Sequence, residues 1–219
     1  MRTVIFLLAV GLLTACSTTS PRETMQRDVD QATAIVERFQ AIPEQSIPPS
    51  VIKASRGLAI MTVTKGGFIV SGRGGSGVVI ARLPGGGWSG PSAIGTGGAG
   101  FGFQAGVEIT EFVIVLNTPA AVDAFAKGGN VTLGGNLSVA AGPIGRSAEG
   151  SVAVGAAMYS YSRSQGLFAG VSLEGTVIGT RDELNRDYYG SNVTSTDILT
   201  GRVRPPAGAQ RLISLLSKY

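Results

Sequence analysis

The residues able to do chemistry in this chain are few. It has one cysteine (Cys16), no histidine, and 14 acidic side chains in 219 residues. Without histidine there is no Ser-His-Asp or Cys-His nucleophile pair and no imidazole metal ligand. A single cysteine excludes a disulfide framework, a cysteine-rich zinc site and a C-x-x-C redox pair. The carboxylates Glu108, Glu111, Glu149 and Glu174 stand singly, so nothing in their spacing marks the acid and base of a hydrolase. The expectation is a protein that is not an enzyme and carries neither metal nor cofactor.

What Cys16 can do is set by what precedes it. Arg2 and the apolar run Val4 to Leu13 have the form of a secretory signal, too short to span a bilayer. Leu13-Thr14-Ala15-Cys16 then reads as a bacterial lipobox, with Cys16 as the lipid-attachment residue after cleavage. A multiply acylated cysteine is a stable anchor, since each buried methylene adds about 0.8 kcal/mol. The expected organisation is a signal peptide over 1–15, a lipidated tether over 16–24 and a single domain over 25–219. Ser17, where inner-membrane lipoproteins often carry aspartate, points to the outer membrane of a bacterial envelope, facing the periplasm.

Charge supplies the second candidate site. The chain carries a net charge of +4, and no acid lies between Glu44 and Glu108. Lys53, Arg56, Lys65, Arg73 and Arg82 all fall in that stretch. Residues 198–219 repeat the pattern with Arg202, Arg204, Arg211 and Lys218. Both stretches point to an anionic partner. Aromatic residues are not interleaved with these bases, so anionic lipid head groups fit better than nucleic acid. The five bases are expected to converge on neighbouring strands, helped by backbone N–H groups of a Gly72–Gly77 loop. The alternative partner is another envelope protein held on the sheet.

Two glycine runs, Gly72–Gly77 and Gly95–Gly100, match G-x-G-x-x-G. A dinucleotide site needs that motif to open a helix, with an acid about 20 residues on. Both runs lead into strands, and no acid follows either run before Glu108, so neither is read as a nucleotide site.

The elements that must position these residues follow from periodicity. Val29, Ala32, Ile35, Val36 and Phe39 form one apolar stripe of a helix over 25–41, which the Pro43 to Pro49 stretch ends. From Leu58 to about Ile178 the period becomes two. Strands are expected at Leu58–Thr64, Gly77–Leu83 and Glu111–Asn117, the last apolar on both faces. Alternation also places Phe101, Phe103, Ala105, Val107 and Ile109 on one buried face. The same pattern marks strands at Val131–Val139 and Leu167–Leu173. Thr118, Pro119 and Gly128 bracket a helix as N-cap, first turn and C-terminal glycine. Short helices close the chain at Thr196–Leu199 and around Leu212–Leu216. Trp88 reads as a turn-flanking core residue, and Tyr159 and Tyr161 oppose Met158 across their strand. Glycines inside strands allow sharp coiling. The fold class is therefore α+β, mainly antiparallel β: a strongly curved Gly-rich sheet or barrel with a few short helices, including N- and C-terminal ones.

Several blocks of the sequence resemble the SYLF domain family. They are Trp88–Ser92, Val131–Ser138, Gly142–Arg146 and above all Tyr159–Gly175 (YSYSRSQGLFAGVSLEG), and the likeness extends from about Val51 to Leu216. The resemblance implies a non-enzymatic lipid-binding domain, which in eukaryotic relatives takes phosphoinositides at membranes alongside the actin machinery. It also implies a basic amphipathic N-terminal helix as the lipid contact. Here residues 22–41 carry Arg22, Arg27 and Arg38 against Glu23, Asp28, Asp30 and Glu37, so that helix is not basic.

Overall fold

The computed structural model describes residues 19–41, 46–68, 70–101, 106–134, 138–144, 156–166 and 176–219. Cys16, Phe103, Ala105, Glu149, Glu174 and the strand expected at Leu167–Leu173 lie outside them.

The chain opens with α1 (Pro21–Gln40), which begins four residues before the apolar stripe predicts. Ser20 caps it: its hydroxyl accepts from Glu23 N at 3.2 Å, and the Glu23 carboxylate accepts from Ser20 N at 3.0 Å. Pro21 suits the first turn because its missing N–H is unpaired there anyway. The tether expected over 16–24 is therefore partly helix. A short α2 (Pro49–Ala54) follows, in a proline stretch read only as a helix stop.

Eight strands then build one curled, half-open sheet: β1 (Gly57–Phe68), β2 (Val70–Ala81), β3 (Ser92–Phe101), β4 (Gly106–Leu116), β5 (Val131–Thr132), β6 (Val139–Ala141), β7 (Met158–Gly166) and β8 (Val177–Thr180). Their order is β5-β8-β3-β2-β1-β4-β7-β6, antiparallel except for the β6–β7 pair. The four long central strands carry the glycine runs. Gly74 stands opposite Gly97, and the whole of Gly72–Gly77 lies inside β2 with β1 on one side and β3 on the other. The loop expected there does not exist, and its amides belong to the ladder, so they are not free to cradle a phosphate.

Both faces of the sheet are covered near one end. On the first, Leu58, Ile60, Val78, Ile80, Val113, Val115, Tyr159 and Tyr161 pack with Met25, Val29, Ile35 and Val36 of α1 and with Leu212 and Leu216 of the C-terminal α6 (Gln210–Leu216). On the second, Ala59, Met61, Val79, Ile94, Phe112, Ile114 and Met158 pack with Ala121 and Phe125 of α3 (Pro119–Ala126) and Leu199 of α5 (Ser195–Leu199). Each large apolar side chain so buried contributes about 1.5–3 kcal/mol before entropy is counted. The expected α3 ends are met: the Thr118 hydroxyl accepts from Ala121 N at 3.2 Å, and Gly128 takes the left-handed φ of 70° past the last turn. A fourth helix, α4 (Asp182–Tyr189), packs on α1.

Toward the other end of the sheet the burial pattern reverses. Val107 and Ile109 are 64% and 43% exposed, while Glu108 and Thr110 are buried. The alternation over 107–110 thus has the opposite sense from the expected one, while Phe103 and Ala105 lie outside the described residues. Hydrophobic period locates a strand, but which face is covered depends on where the helices stop.

Candidate functional site

The five bases of the acid-free stretch fall into two groups at opposite ends of the β1–β2 hairpin. Gly57 pairs with Ala81 at one end and Lys65 with Arg73 at the other. At ~3.3 Å per residue, those rows are about 26 Å apart. One continuous face of five bases is therefore not formed.

The first group sits at the corner where α2 runs into β1. Lys53 is the last base of α2, and both it and Arg56 are exposed. Arg56 is fixed by its backbone: its N–H donates to Leu116 O at 2.7 Å, and its carbonyl accepts from Arg82 N at 2.9 Å. Arg82 has a structural task as well. Its guanidinium donates to Ser55 O at 3.3 Å and Ile52 O at 3.1 Å, and lies 4.3 Å from the centre of the Trp88 ring. Those bonds hold the C-terminal carbonyls of α2 to the sheet. The cost of burial lowers the Arg82 pKa from its ordinary value. Trp88 is the core residue beside a turn that the sequence indicates, 4% exposed and bridged to Arg82 across the β2–β3 hairpin.

The second group is a row across three strands, Glu108 on β4, Lys65 on β1 and Arg73 on β2. Buried Glu108 stands directly opposite Lys65, so this row contains an acid as well as two bases. The Arg73 side chain leans over β3, where a Cβ on Gly98 would meet its Nε at 3.0 Å. Glycine at that position is what lets the guanidinium lie flat on the sheet.

Several polar contacts have no signal in sequence spacing. Arg38 on α1 donates to both carboxylate oxygens of Glu111, at 3.0 and 2.5 Å. Glu108 and Glu111 thus point to opposite faces of β4, because strand neighbours three apart alternate. Asn185 on α4 accepts from Ala93 N at 2.7 Å and donates to Ser92 Oγ at 3.0 Å, tying the helix to β3.

On the α1 side lies a concavity of about 770 Å³ whose floor is Gly74, Gly75, Gly95, Gly97 and Gly179, with Thr62, Thr64, Ser76 and Arg181 around it. Asp28 of α1 closes one side, accepting from Ser76 Oγ at 2.8 Å with Arg181 Nη1 at 3.7 Å. Burial raises the Asp28 pKa above the ordinary aspartate value despite the Ser76 bond and the Arg181 charge. A raised folded-state pKa means that protonated Asp28 supports the fold below its unfolded value, and that this support is lost as pH rises through the folded one. Asp28→Asn should accordingly be more stable than the parent at pH 7. The gap should close as pH falls below the ordinary aspartate range, as followed by thermal melts across a pH series. Equal melting points at every pH would show that the Asp28 charge is not buried at a cost.

Among the described residues, no group of three or more His, Cys, Asp or Glu is placed to hold a metal, and no helix is long and apolar enough to cross a membrane. The arrangement offers surfaces and concavities, with guanidinium and hydroxyl groups as its polar chemistry.

The family model described as Ysc84, Las17-binding protein actin regulator, matches residues 97–219, more than half of the chain. SH3 domain-containing YSC84-like protein 1 of Homo sapiens is 49% identical over 202 residues, covering 89% of this chain and 59% of that protein. Its Xenopus laevis counterpart is 50% identical over 197 residues, covering 86% and 59%. LAS seventeen-binding protein 3 of Saccharomyces cerevisiae is 53% identical over 177 residues, covering 79% of this chain and 39% of the yeast protein. The chain spans about three fifths or less of these curated relatives. The family description names binding and actin regulation, and the name of the yeast relative names binding. On the match to its family model, the chain belongs to the Ysc84, or SYLF, family.

Proposed function

We propose that this chain is a non-catalytic binding module working at a membrane surface, with anionic lipid head groups as its ligand at the α2–β1 corner. The observation that carries this reading is the pairing of exposed Lys53 and Arg56 over Arg82. No carboxylate of the described residues stands within 4 Å of these three bases. Each base near an anionic surface contributes about 1 kcal/mol, so this corner alone gives weak, salt-sensitive binding. Lasting attachment then needs the second half of the proposal. Cys16, acylated as its lipobox-like context suggests, tethers the domain to a bacterial outer membrane on its periplasmic side.

Protein lacking residues 1–16 should sediment with vesicles containing anionic lipid and not with neutral ones, and salt should weaken that preference. Lys53→Glu with Arg56→Glu should abolish it, while Arg73→Gln at the far end of the hairpin should not. Cys16→Ser in the full chain should move the protein out of the membrane fraction. Indifference to vesicle charge, or to the double reversal, removes lipid recognition by this corner. A processed Cys16→Ser protein that stays with membranes removes the anchor.

A protein partner is the second reading. The family description names binding of a protein, Las17, and the uncovered end of the sheet presents Val107 and Ile109 to solvent. An envelope protein seated there would account for that exposure.

A further inference from the structure

The concavity of about 770 Å³ on the α1 side of the sheet has no part in the lipid reading. Thr62, in its wall, stands six residues beyond Arg56, about 20 Å along β1. Strand register lays out the floor. Thr62 lies opposite Ser76, Ser76 opposite Gly95 and Gly95 opposite Gly179, and the next row runs Thr64, Gly74, Gly97. Residues two apart on a strand share a face, so both rows look into the same space. Two further side chains are placed over this floor by contact. Arg181 crosses Gly95, where a Cβ would meet its Cδ at 2.9 Å, and Asn130 Oδ1 lies 3.0 Å from the Cβ position of Gly179. Nothing stands within 4 Å of the Cβ positions of Gly74 and Gly97, so the floor is bare there. We propose that this concavity binds a short run of neutral sugar rings, lying flat over Gly74 and Gly97 with their hydroxyl groups on Asp28, Arg181, Thr64 and Asn130.

Charge balance supports the choice of a neutral ligand. Of the described side chains around the concavity only Asp28 and Arg181 are charged, and they face each other at 3.7 Å. Their charges cancel, so the site favours neither an anion nor a cation. That distance is too long for a hydrogen bond, and Asp28 Oδ2 is buried without a donor. Thr62 Oγ1 in the same wall is likewise buried without a partner. The Arg181 side chain is 39% exposed, and a small turn of it admits a hydroxyl that donates to the carboxylate and accepts from the guanidinium. The exposed Thr64 hydroxyl and Asn130 amide add donors and acceptors at the rim. Exposed Val177, on the same face as Gly179, offers methyl groups to the C–H face of a ring. No aromatic or long aliphatic side chain is among the lining residues, which leaves an acyl chain without walls. A peptide would find no strand edge either, because β2 is paired with β1 and β3, and β3 with β2 and β8. A pyranose, with hydroxyls around its edge and C–H groups on its faces, matches a bare backbone floor inside a polar rim.

The test is titration of the full chain carrying Cys16→Ser with cellotriose and with triacetylchitotriose, followed by NMR. At least one of them should bind saturably, and glucose at least about tenfold more weakly, since a single ring spans only part of the floor. Gly97→Val should weaken the trisaccharide at least about tenfold by standing a side chain on that floor. Its melting temperature should not fall, because the added group enters open space and valine suits a strand. Thr64→Val, which replaces a hydroxyl by a methyl of the same shape, should weaken binding about three- to tenfold. Lys53→Glu with Arg56→Glu should leave sugar binding unchanged, so this site and the vesicle-binding corner fail separately. The proposal is overturned if neither trisaccharide saturates, if glucose binds as well, or if Thr64→Val or a folded Gly97→Val binds like the parent. It is equally overturned if inorganic phosphate displaces the sugar, which would make Arg181 the centre of an anion site.

Discussion

Gly77→Ala should unfold the domain, or cost at least about 3 kcal/mol in urea denaturation, although it adds a single methyl group. A Cβ at Gly77 would stand 2.5 Å from Met61 Cα and 2.6 Å from Met61 Cβ, and closer still to the Ile60 carbonyl oxygen. These are atoms of β1 at fully buried positions, paired with β2 on one side and β4 on the other. No flexible side-chain end is available to give way. Overpacking a well-packed core costs about 1–3 kcal/mol and sometimes more. Here relief requires moving one central strand off another, which places the effect at or above the top of that range. Gly74→Ala, on the same strand, is the control. Nothing lies within 4 Å of its Cβ position. It should therefore leave stability unchanged or raise it by up to about 1 kcal/mol, since alanine has less unfolded-state freedom to lose. If both variants melt with the parent, close approach of β1 and β2 is not the reason for glycine at position 77.

The second large effect is expected at Arg38. Arg38→Met should destabilise the fold by about 3 kcal/mol, because it strands the Glu111 carboxylate, whose side chain is 6% exposed on a central strand. Removing one partner of a buried pair typically costs about 3–5 kcal/mol. The Arg38 side chain is 35% exposed, so water can reach the gap, and the lower end of that range applies. The double variant Arg38→Met with Glu111→Leu should recover most of the loss, since an apolar pair of similar volume is often neutral against a buried ion pair. A double variant as unstable as the single one would mean that packing under α1, and not the orphaned charge, sets the cost. The same pair bears on lipid binding. The apolar stripe of α1, from Met25 to Phe39, is already buried against the sheet, and Arg38 clamps its last turn. A helix held this way can insert into a bilayer only by giving up that packing. The exposed corner at Lys53 and Arg56 needs no such rearrangement.

Much of this architecture is legible in the sequence, and the parts that are not have definite causes. The α3 ends could be read because capping is local chemistry: Thr118, Pro119 and Gly128 each act on their own turn. The Glu111–Asn117 strand could be read because aliphatic residues fill both of its faces. β3 could not, because Gly95, Gly97, Gly98 and Gly100 erase the alternation that announces a strand. α4 escaped because its sequence, DELNRDYY, is mostly polar, and only Leu184, Asn185 and Tyr188 turn inward. The bases of the candidate site show a different limit. Their types and order were visible, but their convergence depended on register, which sends Lys65 and Arg73 to the far end of the hairpin. Arg82 looked like a surface cation because nothing local marks Ser55 O, Ile52 O and Trp88 as its partners. The sense of burial at Val107 and Ile109 was hidden for the same reason, since it depends on how far the packed helices extend over the sheet.

The packing of the last helix against the first has a consequence for how the protein is made. α6 supplies Leu212 and Leu216 to the cluster that holds Met25, and Arg211 donates to Glu37 at 3.0 Å. β8 pairs with β3 across more than eighty residues. At a synthesis rate of 5–20 residues per second, α1 leaves the ribosome roughly 10–40 s before α6. During that interval its apolar stripe lacks its final cover, and the sheet lacks one of its outer strands. The nascent chain therefore needs shielding from its neighbours until the final helix emerges.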